Sequence, residues 1–134
     1  MSAIGISLFS HLSGHAGLAA LVDSRVYPIV APQDPERPYL TYQLISRESE
    51  PTHDGPSGLD NPRLQIDTWA STYVEAGQVA KQVRAAMDGF VGTVGDVEFQ
   101  ASFLDEERDL YEDATQPPLY RVSQDYRGWV REAA

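Results

Sequence analysis

The sequence predicts an α+β domain: a largely antiparallel four-stranded sheet, one long amphipathic helix packed on one face, and short helices at the N-terminus. Three observations lead there. Residues 73–87 carry apolar groups at helical spacing; four other stretches are rich in β-branched and aromatic residues or alternate apolar with polar; and Gly- and Pro-rich breakers separate them. At 134 residues the chain suits one domain, residues 1–134, with a single hydrophobic core.

In chain order, apolar residues from Ile4 to Leu12, then Leu18, Leu21 and Val22, recur three and four apart, predicting one or two short helices interrupted near Gly14 and Gly17. Pro28, Pro32, Pro35 and Pro38 remove backbone donors, so 26–38 reads as an extended, ordered loop. Tyr39 to Glu48 and Arg63 to Ser71 read as strands, the second alternating Leu64, Ile66, Thr68 and Ala70 with Gln65, Asp67 and Trp69. Between them, Ser49 to Pro62 holds three prolines and two glycines. It is too long for a tight hairpin turn and is expected to project as a flexible arm.

Tyr73 to Met87 places Ala76, Val79, Ala80, Val83, Ala86 and Met87 on one face, with Gly89 as the stop. Val97, Phe99, Ala101 and Phe103 alternate with polar residues in the third strand; Tyr120, Val122, Tyr126 and Val130 share one face of the fourth. A sheet of this kind has two edges to dispose of.

Composition narrows the chemistry. The formal net charge is -10, which disfavours phosphate binding because nucleic-acid affinity comes from clustered Lys and Arg. An acidic wall still suits a conduit along which a polyanion slides without sticking. The chain has no cysteine, hence no disulfide, thiolate nucleophile or cysteine-bound metal. No apolar run approaches the ~20 residues that span a bilayer and no basic segment precedes the N-terminal apolar stretch, so a soluble chain without membrane contact is expected.

Residues 96–113 hold eight of the chain's twenty acidic residues, with Arg108 the only base. Such a run is a solvated strand end and turn, an interface or pore lining, or, least favoured, a divalent metal site, since adjacent carboxylates rarely converge on one ion. His11 and His15 have the i, i+4 spacing of a helical metal pair, but Gly14 weakens that helix and Leu12 stands where a zinc protease carries Glu. His53 beside Asp54 has no Gly-x-Ser-x-Gly partner, and Gly55 and Gly58 lack the Lys and Ser/Thr of a phosphate loop. No catalytic, cofactor or metal residues are assigned. Trp69 and Trp129 lie on strand faces that also carry Asp67, Asp125 and Arg127, a composition met at subunit contacts.

Three segments taken together, RVYPIVAPQDPERPYLTYQLIS (25–46), DGPSGLDNPRLQIDTWASTYVEA (54–76) and FLDEERDLYEDATQPPLYRVSQDYRGW (103–129), resemble the tail terminator, or tail completion, proteins of long-tailed phages and phage-derived particles such as gene transfer agents. The likeness covers most of the chain in the family's order. It implies a structural virion protein, not an enzyme, assembled in the host cytoplasm. Subunits of this kind usually form a homo-oligomeric hexameric ring on the tail tube protein, stop tube polymerisation and join the tail to the head connector or neck protein, while DNA passes through the lumen without specific binding. No cofactor is implied. The interface candidates are Arg47, Glu48, His53, Asp54 and Leu59 on and beside the arm; Trp69, Arg127 and Trp129 on strands; and Asp105, Glu106, Glu107, Arg108, Asp109 and Tyr111 in the acidic segment. Two other readings compete: a small acidic metal-dependent hydrolase using His53, Asp54 and the Asp105 to Asp109 carboxylates, or a phage accessory binding protein outside the particle.

Overall fold

The computed structural model describes residues 2–52, 55–115 and 117–133, with 50–52 and 55–57 as backbone only. The element order is α1 (Ala3–Ser13), α2 (Ala16–Val22), β1 (Val26–Pro28), β2 (Tyr39–Thr52), β3 (Gly55–Ala70), α3 (Tyr73–Met87), β4 (Gly92–Val94), β5 (Val97–Glu112) and β6 (Leu119–Glu132). The α+β class holds, but the sheet has six strands, ordered β1-β2-β3-β6-β5-β4. The two added strands are three-residue pieces at the rims, too short to show a period. β1 pairs parallel with Leu40 to Tyr42, and β4 antiparallel with Val97 to Phe99; β2, β3, β6 and β5 run antiparallel in succession.

The N-terminal helices break at Gly14, which caps α1, and at His15, whose Nδ1 accepts from the Leu18 N–H at the start of α2. Gly17 lies inside α2. The break separates His11 from His15: His11 Nε2 instead sits 2.7 Å from the Ala86 carbonyl oxygen, its ring 4.0 Å from that of Phe90. α3 has the predicted limits. Its N-cap Thr72 accepts from the Glu75 N–H at 3.1 Å, satisfying one of the orphan donors of the first turn.

α1, α2 and α3 cover the same face of the sheet. The main core joins Ile4, Leu8 and Leu12 of α1, Leu18 and Val22 of α2, Val79, Val83 and Met87 of α3, and Leu40, Ile66, Phe99, Tyr126 and Val130 of the strands. Ala70, Ala76, Ala80 and Val122 extend it beneath the first half of α3. The apolar N-terminal helices are thus consumed in the core, and among the described residues no single helix is long and apolar enough to cross a membrane.

The largest departures lie between the predicted elements. The described parts of this stretch, Ser49 to Thr52 and Gly55 to Pro62, are strand: β2 and β3 keep antiparallel register out to Thr52↔Gly55, with a shift between Ser49 and Pro51. The acidic segment is strand as well, since β5 pairs with β6 out to Glu112↔Leu119. Proline and acid density argued against strand at both places; the partner strand supplies the pairing that local propensity does not. A bulge between Leu104 and Glu106 also breaks the alternation that would have marked the acidic strand. Gly128 sits where β6 crowds β5: a Cβ there would lie 2.5 Å from the Ala101 carbonyl oxygen.

Leu12 is fully buried among the helices, so Leu12→Ala should lower the unfolding free energy by about 2–5 kcal/mol in urea melts. Tyr126 is fully buried, and among the described residues its hydroxyl has no hydrogen-bond partner. Burial first, then the Glu107 and Asp88 carboxylates against the Arg84 cation, raises its pKa well above the ordinary tyrosine value. The neutral phenol is therefore favoured in the folded state, so its contribution to stability is complete below about pH 10 and lost as pH rises beyond that. Tyr126→Phe should fold as well as the parent at pH 7 and lose less stability in an alkaline titration followed by circular dichroism.

Candidate assembly interface

Two features stand out from the compact body. The first is a ribbon. β3 pairs with β6 from Ala70↔Tyr120 to Leu59↔Arg131, whereas Gly55 to Gly58 have only β2 beside them. The end of the β2–β3 hairpin therefore projects past the sheet. Pro51 and Pro56 face each other there, where no third strand needs the N–H that proline lacks. Asn61 and Pro62 fall in a gap of the β3–β6 ladder. Arg47 fastens the base: its Nε donates to Asp60 Oδ2 at 2.6 Å and its Nη2 to Glu132 Oε2 at 2.6 Å, on β3 and β6. Glu132, opposed by burial and reinforced by Asp60, holds the Arg47 pKa above its usual value. Glu48 is exposed opposite Asn61, and Leu59 is half-buried where the ribbon leaves β6. His53 and Asp54 lie outside the described residues.

The second feature is the sheet face away from the helices, which carries an ordered set of charges. Arg121 Nη2 meets Asp67 Oδ2 at 2.8 Å, and its guanidinium stands 4.8 Å over the Trp69 ring. Trp69 stacks on Tyr39 at 5.9 Å and donates from Nε1 to Thr41 Oγ1 at 2.9 Å. Asp125 takes Arg63 at 2.9 Å and Arg108 at 3.4 Å, while Asp105 takes Arg63 and Arg127, each at 3.4 Å. Gln43, Gln65 and Ser123 form a hydrogen-bonded row between these pairs. Asp67 and Asp125 are only 7% and 5% exposed, so neighbouring side chains desolvate them and the arginines compensate.

The acidic segment is therefore split between two faces and answered by arginine only in part. Glu106 lies 3.6 Å from Arg108. On the helix face, Glu107 Oε1 accepts from Gln124 Nε2 at 2.7 Å, and Asp109 Oδ2 accepts from the Tyr73 hydroxyl at 2.8 Å, which raises the Tyr73 pKa. Tyr111 packs on Tyr120, ring centroids 4.9 Å apart, and Trp129 is half-buried opposite Ala101. Among the described residues no group of three His, Asp or Glu side chains is placed to hold a metal ion.

Trp69, Asp105, Arg108 and Arg127, candidates on sequence grounds, do share this face; their partners Arg63 and Arg121, and the Arg47 partners Asp60 and Glu132, were not among the candidates. A signal existed. Arg63, Gln65 and Asp67 alternate with core residues on β3, as Arg121, Ser123, Asp125 and Arg127 do on β6, and opposite polar rows on neighbouring strands pair across a face.

The chain thus presents a projecting ribbon and a solvent-side face of paired charges. The comparisons identify its kind: residues 6–131 match the family described as tail completion protein gp17. The chain belongs to that family and is a virion component. Its fold also matches 25 chains of known structure. One belongs to the virion of a native gene transfer agent particle, with a TM-score of 0.72, 18% identity, and 96% of this chain and 94% of that chain covered. That likeness shows a shared fold. No curated protein sequence matches this one.

Asp67→Ala strands Arg121 beside the Trp69 ring and should cost about 1–3 kcal/mol in urea unfolding. Glu48→Ala, on an exposed side chain, should change stability by no more than about 0.5 kcal/mol.

Proposed function

We propose that this protein is a tail terminator: it forms a homo-oligomeric ring, hexameric as in the proteins it resembles, on the last ring of the tail tube, ends tube polymerisation and joins the tail to the head connector. The observation that carries this reading is the pair of unlike, incompletely covered sheet rims. On one side β1 pairs only with Leu40 to Tyr42 of β2. On the other, β4 pairs only with Val97 to Phe99 of β5, and the residues that follow α3 extend the cover by two hydrogen bonds, the Gly89 N–H donating to Ser102 O and the Leu104 N–H donating to Asp88 Oδ1. Long strand edges invite pairing, and two unlike edges on opposite sides of one subunit make a heterologous contact, which generates rings when the rotation closes.

The ribbon supplies a second contact, reaching along the particle axis to the tube or a neighbouring subunit. The role is binding without bond chemistry. The candidate residues divide accordingly: Arg47, Glu48, His53, Asp54 and Leu59 serve the ribbon; Asp105 to Asp109 and Tyr111 serve the β5 rim; Trp69, Arg127 and Trp129 serve the solvent-side face. The net charge of -10 lets DNA pass the ring without being held.

Particles assembled without this protein should contain tails of irregular length that do not join heads in electron micrographs, and adding the purified protein should restore defined, joined tails. Tails of normal length, joined to heads in its absence, would exclude this role.

A further inference from the structure

An apolar groove of about 430 Å³ runs between the first turns of α1 and the uncovered part of β2, with Ile4, Leu8, Ile29, Leu44 and Leu64 in its lining. Ile29 at its rim is held at φ 64° and is 71% exposed. Positive φ is a conformation that β-branched residues rarely adopt, so the fold maintains backbone strain to leave an apolar side chain in solvent there. Val30 beside it is 75% exposed.

Resting on the self-association reading above, we propose that this groove receives the Asp105–Glu112 segment of β5 from a second copy of the chain. Strand polarity supports that occupant. Each step across β2, β3, β6 and β5 is antiparallel, so β2 and β5 run in opposite directions. A copy turned about a ring axis thus brings its β5 antiparallel to β2 with no inversion of the subunit. Length supports it too, because Gln43 to Ser49 on one rim and Asp105 to Glu112 on the other are both beyond the cover of the neighbouring elements; they lie at opposite ends of the sheet, Leu44 being level with Leu104 through Leu64 and Tyr126, so the copies meet with their strands tilted to the ring axis.

Chemistry agrees. Aligned end to end, the two segments set Tyr111 opposite Leu44 over the groove and Leu110 opposite Ile45; the same register sets Glu48 opposite Glu107 and Arg47 opposite Arg108, each arginine already paired with carboxylates of its own subunit. Tyr111, Leu110 and Ile45 are 57%, 42% and 45% exposed in the single chain and would be covered together. The groove mouth includes Ser2 and Gly5 of the α1 N-terminus, and α1 has no acidic residue in its first turn to answer its positive end. The incoming segment brings Asp109 and Glu112.

The absence of native cysteine permits a direct test in assembled tails. Within one chain, β2 and β5 are three strand spacings apart, about 14 Å, beyond the ~7 Å Cα separation that a disulfide spans. Any Ile45→Cys to Leu110→Cys bond therefore joins two copies. Oxidised tails carrying both substitutions should give a ladder of covalent multimers rising one subunit at a time on non-reducing gels. Either substitution alone, and Ile45→Cys with Glu98→Cys, should remain unlinked. Rings visible by electron microscopy but without the ladder would overturn the groove assignment and leave self-association standing; tails lacking any ring of this protein would overturn both.

Discussion

The antiparallel ladder between β3 and β6 is the constraint on which the remainder of the molecule depends. β2–β3 and β5–β6 are hairpins that each close locally, and a two-stranded hairpin alone is marginally stable in water. Pairing residues 59–70 with 120–131 joins them into one surface. Only that surface is wide enough for α3 to bury Val79, Val83 and Met87 against Ile66 and Tyr126 together. α1 and α2 then close the core at the β2 side, with the His11 contact to Ala86 tying α1 to the end of α3.

The same ladder sets the chemistry of the opposite face. By bringing Asp67 beside Arg121 and Arg63 beside Asp125, it places carboxylates of low exposure next to guanidinium groups. Such pairs give modest net stability, since desolvation offsets most of the attraction, but breaking one leaves an uncompensated charge. Their value lies in specifying register: a slip of one residue would turn every charged side chain toward the core. The net acidity of the chain is thus not a bare acidic strip. Part of the 96–113 run, Asp105 to Glu107, is paired with arginine within the subunit.

Edges explain the asymmetry between the two ends of the sheet. At the rims, three-residue strands and the cap of α3 protect only part of β2 and β5. At the ribbon, prolines occupy positions where no third strand follows, which discourages indiscriminate pairing.

Much of the architecture was legible in the sequence because burial imposes a period. Helix α3 was delimited at both ends by its apolar repeat, Leu64 to Ala70 and Val97 to Phe103 by alternation, and the class of protein by the ordered segments around Tyr39, Arg63 and Asp105. The ribbon and the acidic strand were not, because Pro51, Pro56 and the carboxylates of 105–112 carry no strand signal of their own and pair only because β3 and β6 hold their partners in line. The ion pairs were hidden for the same reason: each joins residues far apart in the chain. Local patterning by itself determined which residues enter the core and where α3 and the strand centres lie, since those follow from a side chain's own hydrophobicity. Tertiary structure alone decided how far the strands extend, which charges cancel and which edges remain open, since those depend on what the fold places alongside.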